Sequence, residues 1–329
     1  MVELADVRAA SVILRFLAKR LLLSLITLWI LSVAVFLGGQ LLPGDVGRAV
    51  LGPLADFRAV AHFNHEMGID RPLILQYGSW IGHFLVGNMG VSYTFRSPVA
   101  PFIADAVVNS LKLAAMAFVL VVPLGIFGGV WAALRVGTWT DRALTLLGQS
   151  LGVVPEFISS IVLILIFGVW LRWLPMSADW PDDSGPLTQI YYLLLPALPL
   201  VLIFFGYIAR VARAGMVEAL DADYTRTAVL KGLPWAIVLR RHVLRNALLP
   251  TITVIASLIG YLAGGLVIVE TLFHYRGIGS LIYTAAKAKD FPMLEAAVLT
   301  IGTIYAIASL GADLLNTVLN PRLRAQERA

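Results

Sequence analysis

Cysteine is absent from this chain, and charged side chains are scarce: Asp, Glu, Lys and Arg together make up 14% of 329 residues. Without cysteine there is no disulfide, no thiolate metal site and no thiol nucleophile. Soluble domains carry about a quarter charged residues, so the low charge already points away from a water-soluble fold. Catalytic patterns are missing too. The chain has no G-x-x-x-x-G-K-[ST] phosphate loop, no G-x-S-x-G elbow and no H-E-x-x-H helix. His62, His65 and Glu66 form H-x-x-H-E, whose order fits neither zinc-protease pattern, and they read as a solvated helix face. Nothing points to an enzyme, and no cofactor is expected in this chain.

What is abundant is apolar. Hydrophobic residues make up 59% of the sequence and the mean hydropathy is +0.84. Long apolar blocks without strand-like alternation leave helices as the spanning element, because every backbone polar group must be satisfied inside lipid. The fold class expected is an all-α integral membrane protein with six transmembrane helices. The net charge of +5 could suggest a nucleic-acid partner, but its distribution argues against one. The cations cluster in the N-terminus (Arg8, Arg15, Lys19, Arg20), the turn Arg135–Arg142, the stretch 210–250 and the tail after Pro321. Such clustering follows the positive-inside rule and places both termini in the cytoplasm.

In chain order, a cytoplasmic N-terminus (1–20) precedes a first span at 21–42, about the 20 residues needed to cross a bilayer. Residues 43–106 form an extracytoplasmic segment with helical spacing from Pro53 to Met67, ended by Gly68-Ile69-Asp70-Arg71-Pro72. An amphipathic piece follows from Leu73 to Val86, with Tyr77 and Trp80 suited to the membrane surface. A five-helix core then runs from 107 to 319. Its spans are 107–134, softened by Pro123 and Gly125; 143–170, kinked at Pro155; 190–208; 251–269; and 294–319. An outer loop covers Glu270 to Met293, and a basic tail occupies 320–329. Trp131 and Trp139 mark an inner boundary, Trp170 and Trp173 an outer one.

Some intramembrane residues stand out. Glu156 falls near the middle of the third span, where an acid costs roughly 2.5–3.5 kcal/mol. It either lines a pathway and meets a cationic substrate or makes a buried hydrogen bond to a neighbouring helix. Thr253, Ser257, Gly260, Tyr261 and Gly264 share one face of the fifth span, as a packing seam or as a pore wall. Gly125-x-x-x-Gly129 and Gly148-x-x-x-Gly152 read as the same small-residue pattern. Asp313 suits a structural role near the inner headgroups, and Lys112 can snorkel outward.

The longest polar run is Arg210–Pro250. Helix formers fill Glu218 to Leu230; Gly232 sits where a helix end calls for positive φ, with Lys231 in the last turn; Pro234 suits the first turn of a second helix. The outcome expected is two short helices meeting at a glycine-defined corner, a rigid knob projecting from the membrane.

These residues carry a resemblance. Asp223-Tyr224, Arg226-Thr227-Ala228, Lys231-Gly232-Leu233 and His242-x-x-Arg245-Asn246-Ala247-Leu248-x-Pro250 resemble the cytoplasmic signature of ABC-importer permeases of the dipeptide, oligopeptide and nickel family. Leu41-Leu42-Pro43-Gly44-Asp45, Gly68-Ile69-Asp70-Arg71-Pro72-Leu73 with Gln76-Tyr77, Val269-Glu270-Thr271-x-Phe273 with Gly277-x-Gly279, and Asn320-Pro321-Arg322 are similar to the same family along nearly the whole chain. The sequence departs from the pattern at Arg276, at Lys287-Ala288-Lys289-Asp290 and at Glu156.

The resemblance implies a type I importer permease in a bacterial inner membrane, forming half of a pathway for peptides or similar solutes. Its companions would be a second, homologous permease, two cytoplasmic ATPase subunits that bind ATP and Mg, and an extracytoplasmic solute-binding protein. In this family the corner inserts into a groove on the ATPase. Carried over by position, Tyr224, Ala228, Lys231, Gly232 and Leu233 would make or shape that contact, with Arg241 and Arg245 flanking it. Glu156, Thr253, Ser257 and Tyr261 are the pathway candidates. Two other classes remain as alternatives. An ion-coupled secondary transporter would carry inverted repeats and paired midplane charges, and a non-transporting membrane anchor would tolerate changes at Gly232.

Overall fold

The computed structural model describes residues 2–41, 46–52, 54–66, 68, 70–181, 183–264 and 266–319. The motif residues Leu42-Pro43-Gly44-Asp45, the helix limits Pro53 and Met67, and the whole tail from Asn320 lie outside them. Fourteen helices are used below: α1 (Val2–Leu41), α2 (Val46–Leu51), α3 (Phe57–Glu66), α4 (Leu73–Leu85), α5 (Val99–Ala133), α6 (Trp139–Val153), α7 (Glu156–Trp170), α8 (Pro186–Asp221), α9 (Asp223–Leu230), α10 (Trp235–Ala247), α11 (Leu249–Gly264), α12 (Val267–Leu272), α13 (Ile278–Ala288) and α14 (Phe291–Leu319). α7 and α10 each contain a stretch of π-helix.

Four segments are long and apolar enough to cross a membrane as single helices: Ala18–Gly39, Val99–Ala133, Pro186–Asp221 and Phe291–Leu315. Two more arise if each bent pair counts as one span: α6 with α7, bent by 106°, and α10 with Leu249–Leu262, bent by 47°.

The third span is therefore far more than kinked. Pro155 has no N–H to donate and takes an extended ψ of 139°, so it caps a new helix instead of continuing the old one. Each half is about 22 Å long at 1.5 Å per residue, less than the apolar thickness of a bilayer of about 30 Å. The proline and glycine pair in α5 behaves differently. That helix runs unbroken through Pro123, and Gly125 serves contact with α8.

Small residues set the packing, as expected where lipid removes any hydrophobic drive between helices. A Cβ on Gly125 would lie 2.7 Å from Ile208, and one on Gly128 would lie 3.0 Å from Phe205. One on Gly129 would overlap the carbonyl of Ala209. Lys112 Nζ donates to Gln189 Oε1 at 3.1 Å. Sequence numbers rise together along both helices, so α5 and α8 run parallel. α6 crosses α8 in the opposite sense, with Gly148 against Gly206 and Gly152 against Ile203. Gly260 and Gly264 of α11 face Tyr305 and Ile301 of α14, an antiparallel pair. α1 is antiparallel to α14 as well: Gly39 lies by Phe291, Leu28 by Gly302, and Arg20 pairs with Asp313 at 3.3 Å.

These registers place the ends. Ala133, Met216, Ala219, Ala228, Val238, Val243 and Ala247 form one buried cluster. It gathers the ends of α5 and α8 and the region before α11 at one end of the bundle, together with Arg20 and Asp313. Gly39, Phe291 and the described residues of 46–98 lie at the other end.

Tyr77 and Trp80 of α4 pack on α1: their rings stand 5.5 and 6.0 Å from Phe36, and the Tyr77 hydroxyl is 2.8 Å from that of Ser32. Leu73, Ile74, Leu75 and Leu85 are the exposed large apolar side chains of that helix. A seated aromatic buries more area than one left at the interface, and α1 offers the partner.

Candidate functional site: a rigid corner, an open polar face and a buried clasp

α8 does not stop where charge begins. It continues thirteen residues past Ile208 to Asp221 because Ala209, Ala212, Gly215, Met216 and Ala219 keep an inward face while Arg210 and Glu218 point away. The expected helix from Glu218 to Leu230 is in fact split at Ala222, whose ψ of 147° ends α8 and starts α9. Thr225 spans the break, its buried hydroxyl donating to the Ala219 carbonyl at 2.7 Å.

The corner forms as its residues dictate. Gly232 takes φ +73°, its N–H donates to Val229 O at 2.9 Å, and Leu233 N–H donates to Ala228 O at 3.4 Å. That is the paired closure of a left-handed helix end. Pro234 then caps α10 at ψ 137°. Ala228 is buried among Met216, Val238 and Val243, so it anchors the corner from beneath and does not face outward. Tyr224, Lys231, Leu233, Arg241 and Arg245 are exposed, and Leu230 beside them is 88% exposed. The tip is thus apolar at its centre and cationic at its flank. Among the described residues, nothing would lie within 4 Å of a Cβ added at Gly232.

A second site runs along α11. The small-residue stripe divides: Gly260 is buried against α14, while Ser257 and Tyr261 are exposed and Thr253 is half-buried. The hydroxyls of Thr253 and Ser257 donate to backbone at Leu249 O and Thr253 O, 3.3 and 3.1 Å away. Glu156 stands near enough to act electrostatically on Tyr261. It is not at a helix centre. Pro155 makes it the first residue of α7, where the partial positive charge of a helix start favours an acid. Its Oε1 is buried and has no hydrogen-bond partner among the described residues, so the alternative of an interhelical hydrogen bond is not realised at that oxygen. Reading Pro155 as a kink puts Glu156 mid-span; the proline instead separates α6 from α7, and Glu156 begins the second helix.

Charged groups outside the coupling and pathway candidates hold the frame. Asp141 receives both Nε and Nη2 of Arg213, at 2.5 and 2.8 Å, locking α6 to α8. Glu270 is fully buried in α12. Its Oε1 accepts from Ser110 Oγ at 2.5 Å, and its Oε2 accepts from the backbone N–H groups of Gly279 and Ser280 at 2.8 and 3.1 Å. Those amides are the free first turn of α13, so a carboxylate nine residues away supplies the missing cap. Burial pushes the Glu270 carboxyl up to about 7, against the downward pull of the same three donors. Gly277 and Gly279 press on that carboxylate. An acid beside an apolar block, followed by two close glycines, was the available signal. At the segment's exposed face His65 accompanies Asp70 at 2.6 Å and holds its carboxyl below the usual range.

The chain matches two family models: "Binding-protein-dependent transport system inner membrane component" over residues 125–325, and the corresponding N-terminal membrane component over residues 13–114. It is 33% identical over 309 residues to a probable peptide ABC transporter permease protein of Sinorhizobium fredii, covering 94% of this chain and 99% of that one. A putative peptide transport system permease protein of Brucella abortus is 35% identical over 309 residues, covering 93% and 98%. The glutathione transport system permease protein GsiC of Escherichia coli strain K12 is 34% identical over 313 residues, covering 94% and 99%. With a family model over more than half of its length, this chain belongs to the binding-protein-dependent transport system inner membrane components and is the multi-pass permease subunit of an ABC importer, a transport component without an ATPase site of its own.

Proposed function

We propose that this permease forms half of a translocation pathway for peptides or similar small solutes in a bacterial inner membrane, and that it takes its energy through the Gly232 corner. The cargo class rests on relatives whose names specify peptide or glutathione transport. The coupling role rests on one observation above all: a rigid corner whose tip exposes Leu230, Leu233 and Tyr224 beside Lys231, Arg241 and Arg245. Exposed apolar groups ringed by charge mark a docking surface.

Working partners are then a second, homologous permease, two ATPase subunits that hold ATP and Mg, and a solute-binding protein on the far side. Closure of the ATPases draws two corners together, and the Ala228 anchor passes the movement into α8 and α10. The break at Ala222 and the bend at Pro155 are the points where helices can pivot. Glu156, Thr253, Ser257 and Tyr261 face the route the solute takes, with Glu156 the group that meets an ammonium.

Copurification tests the coupling. A tagged chain should retain its ATPase, and Gly232→Trp should lose it while the permease still reaches the membrane. An ATPase retained by Gly232→Trp would sink the docking role. Uptake of lysyl and neutral dipeptides by Glu156→Gln tests the pathway: the lysyl peptide should lose most, and equal uptake of both at the parent rate overturns the assignment.

A further inference from the structure

At the end of the bundle away from the corner lies a cavity of about 410 Å³, within the roughly 300–1,000 Å³ range of small-molecule sites. It is bounded by α1, α4, the segment before α5 and the start of α14. Phe36, Trp80, Tyr93 and Phe291 supply aromatic walls, Glu295 lies in the lining, and Arg71 stands there too.

Two of its groups lack partners. Glu295 is only 6% exposed, its Oε1 lies beside Gly39 of α1, and no hydrogen bond or cation meets its carboxylate among the described residues. The indole N–H of Trp80 is also buried without an acceptor. A buried carboxylate without a counter-charge costs several kcal/mol, and a native fold rarely leaves such a group unless something fills it. Two further titratable groups of the lining are engaged within the protein. Glu66 pairs with His62 at 3.2 Å, and His83 Nδ1 lies 2.8 Å from Ser79 O. Tyr93 stays neutral, since burial, with the charges of Glu295 and Asp290, pushes its hydroxyl up to about 12.

We propose that this cavity binds the head of a zwitterionic primary amine, with its ammonium on Glu295 between aromatic faces and its anionic oxygens toward Trp80 Nε1 and Arg71. Aromatic rings around a carboxylate favour a cation that has shed its water. The indole N–H and the guanidinium are donors only and call for an anion within a few bonds of that ammonium. Two sources carry this chemistry. One is an aminophospholipid headgroup, which suits a cavity beside the exposed Leu73, Ile74 and Leu85 of α4. The other is a small soluble zwitterion. The site is separate from the polar face of α11 and does not depend on the cargo proposed above.

The test is native mass spectrometry of the purified full-length permease, supplied with equal phosphatidylethanolamine and phosphatidylglycerol. Phosphatidylethanolamine should be retained about tenfold over phosphatidylglycerol, the size of one charge-assisted hydrogen bond, and the preference should vanish in Glu295→Gln. Trp80→Phe keeps the aromatic wall but removes a donor to the phosphate that both lipids carry, so it should lower retention of both while the preference survives, which guards against misfolding of the Glu295 variant. Soluble O-phosphoethanolamine, followed by indole fluorescence, separates the sources: saturation that displaces the lipid identifies a soluble ligand, and no response with lipid retained identifies the headgroup. Equal retention of both lipids together with no response to O-phosphoethanolamine, or a preference that survives Glu295→Gln, overturns the proposal.

Discussion

At the scale of single residues, two kinds of position carry this fold. Glycines at helix crossings fix how close backbones come. Gly206 and Gly148 meet so closely that a Cβ on Gly206 would overlap the Gly148 carbonyl. Gly206→Ala should therefore force α6 off α8 and cost about 1–3 kcal/mol, as overpacking does, seen as a lower unfolding midpoint in detergent. Gly38, which has open space around its Cβ, is the matched control and should change little. Asp141 carries the second kind of role. Asp141→Asn keeps the shape but removes the charge that receives Arg213 through two nitrogens. Hydrogen bonds to charged groups contribute about 1.5–3 kcal/mol. Arg213 is about a third exposed, so the lower end is expected in a thermal melt.

At the scale of elements, the corner and the clasp are built alike, each with a helix end closed by groups outside the helix. At the corner, Gly232 and Leu233 return their N–H groups to α9. In the clasp, Glu270 reaches from α12 to the first turn of α13 while Ser110 of α5 steadies it. Glu270→Ala leaves those amides and the Ser110 hydroxyl without an acceptor, at about 1–3 kcal/mol for each buried group. Proteolysis in the 273–290 region should accelerate in that variant and much less in Thr284→Ala, which lies on an exposed face. Gly232→Ala differs from the tryptophan variant. With empty space around the position, its cost is left-handed backbone strain of about 1–2 kcal/mol. Its ATPase should weaken in copurification without being lost.

At the scale of the whole molecule, the registers predict which helices run together. Because the chain has no cysteine, engineered pairs can be read without background. Lys112→Cys with Gln189→Cys should crosslink through a short bifunctional maleimide, as the parallel α5 and α8 place those side chains 3.1 Å apart. Lys112→Cys with Arg210→Cys should not, since they belong to opposite ends of that pair. The crosslinked product, separated by gel mobility, decides between parallel and antiparallel packing.

Much of this was legible in the residues. The six apolar blocks announce their spans through length and composition, and Gly232-Leu233-Pro234 announces its corner because few residues satisfy those dihedrals. Span ends were less legible. α8 overran the predicted Ile208 limit since a helix answers to packing along one face, not to the first arginine. Pro155 reads as a kink within one continuous span, and that reading hides that Glu156 begins a helix.

The sequence alone determined that the chain is a helical membrane protein with no machinery for hydrolysing nucleotide and a glycine corner at its polar hairpin. These follow from composition, local dihedral preference and motif order, which act within a few residues of one another. Only the tertiary structure decided that Glu270 caps a distant helix, that Asp141 meets Arg213, and that Glu295 and Trp80 share a cavity. Those facts depend on which segments pack, and the small-residue patterns that mark a helix crossing do not say which helix is the partner.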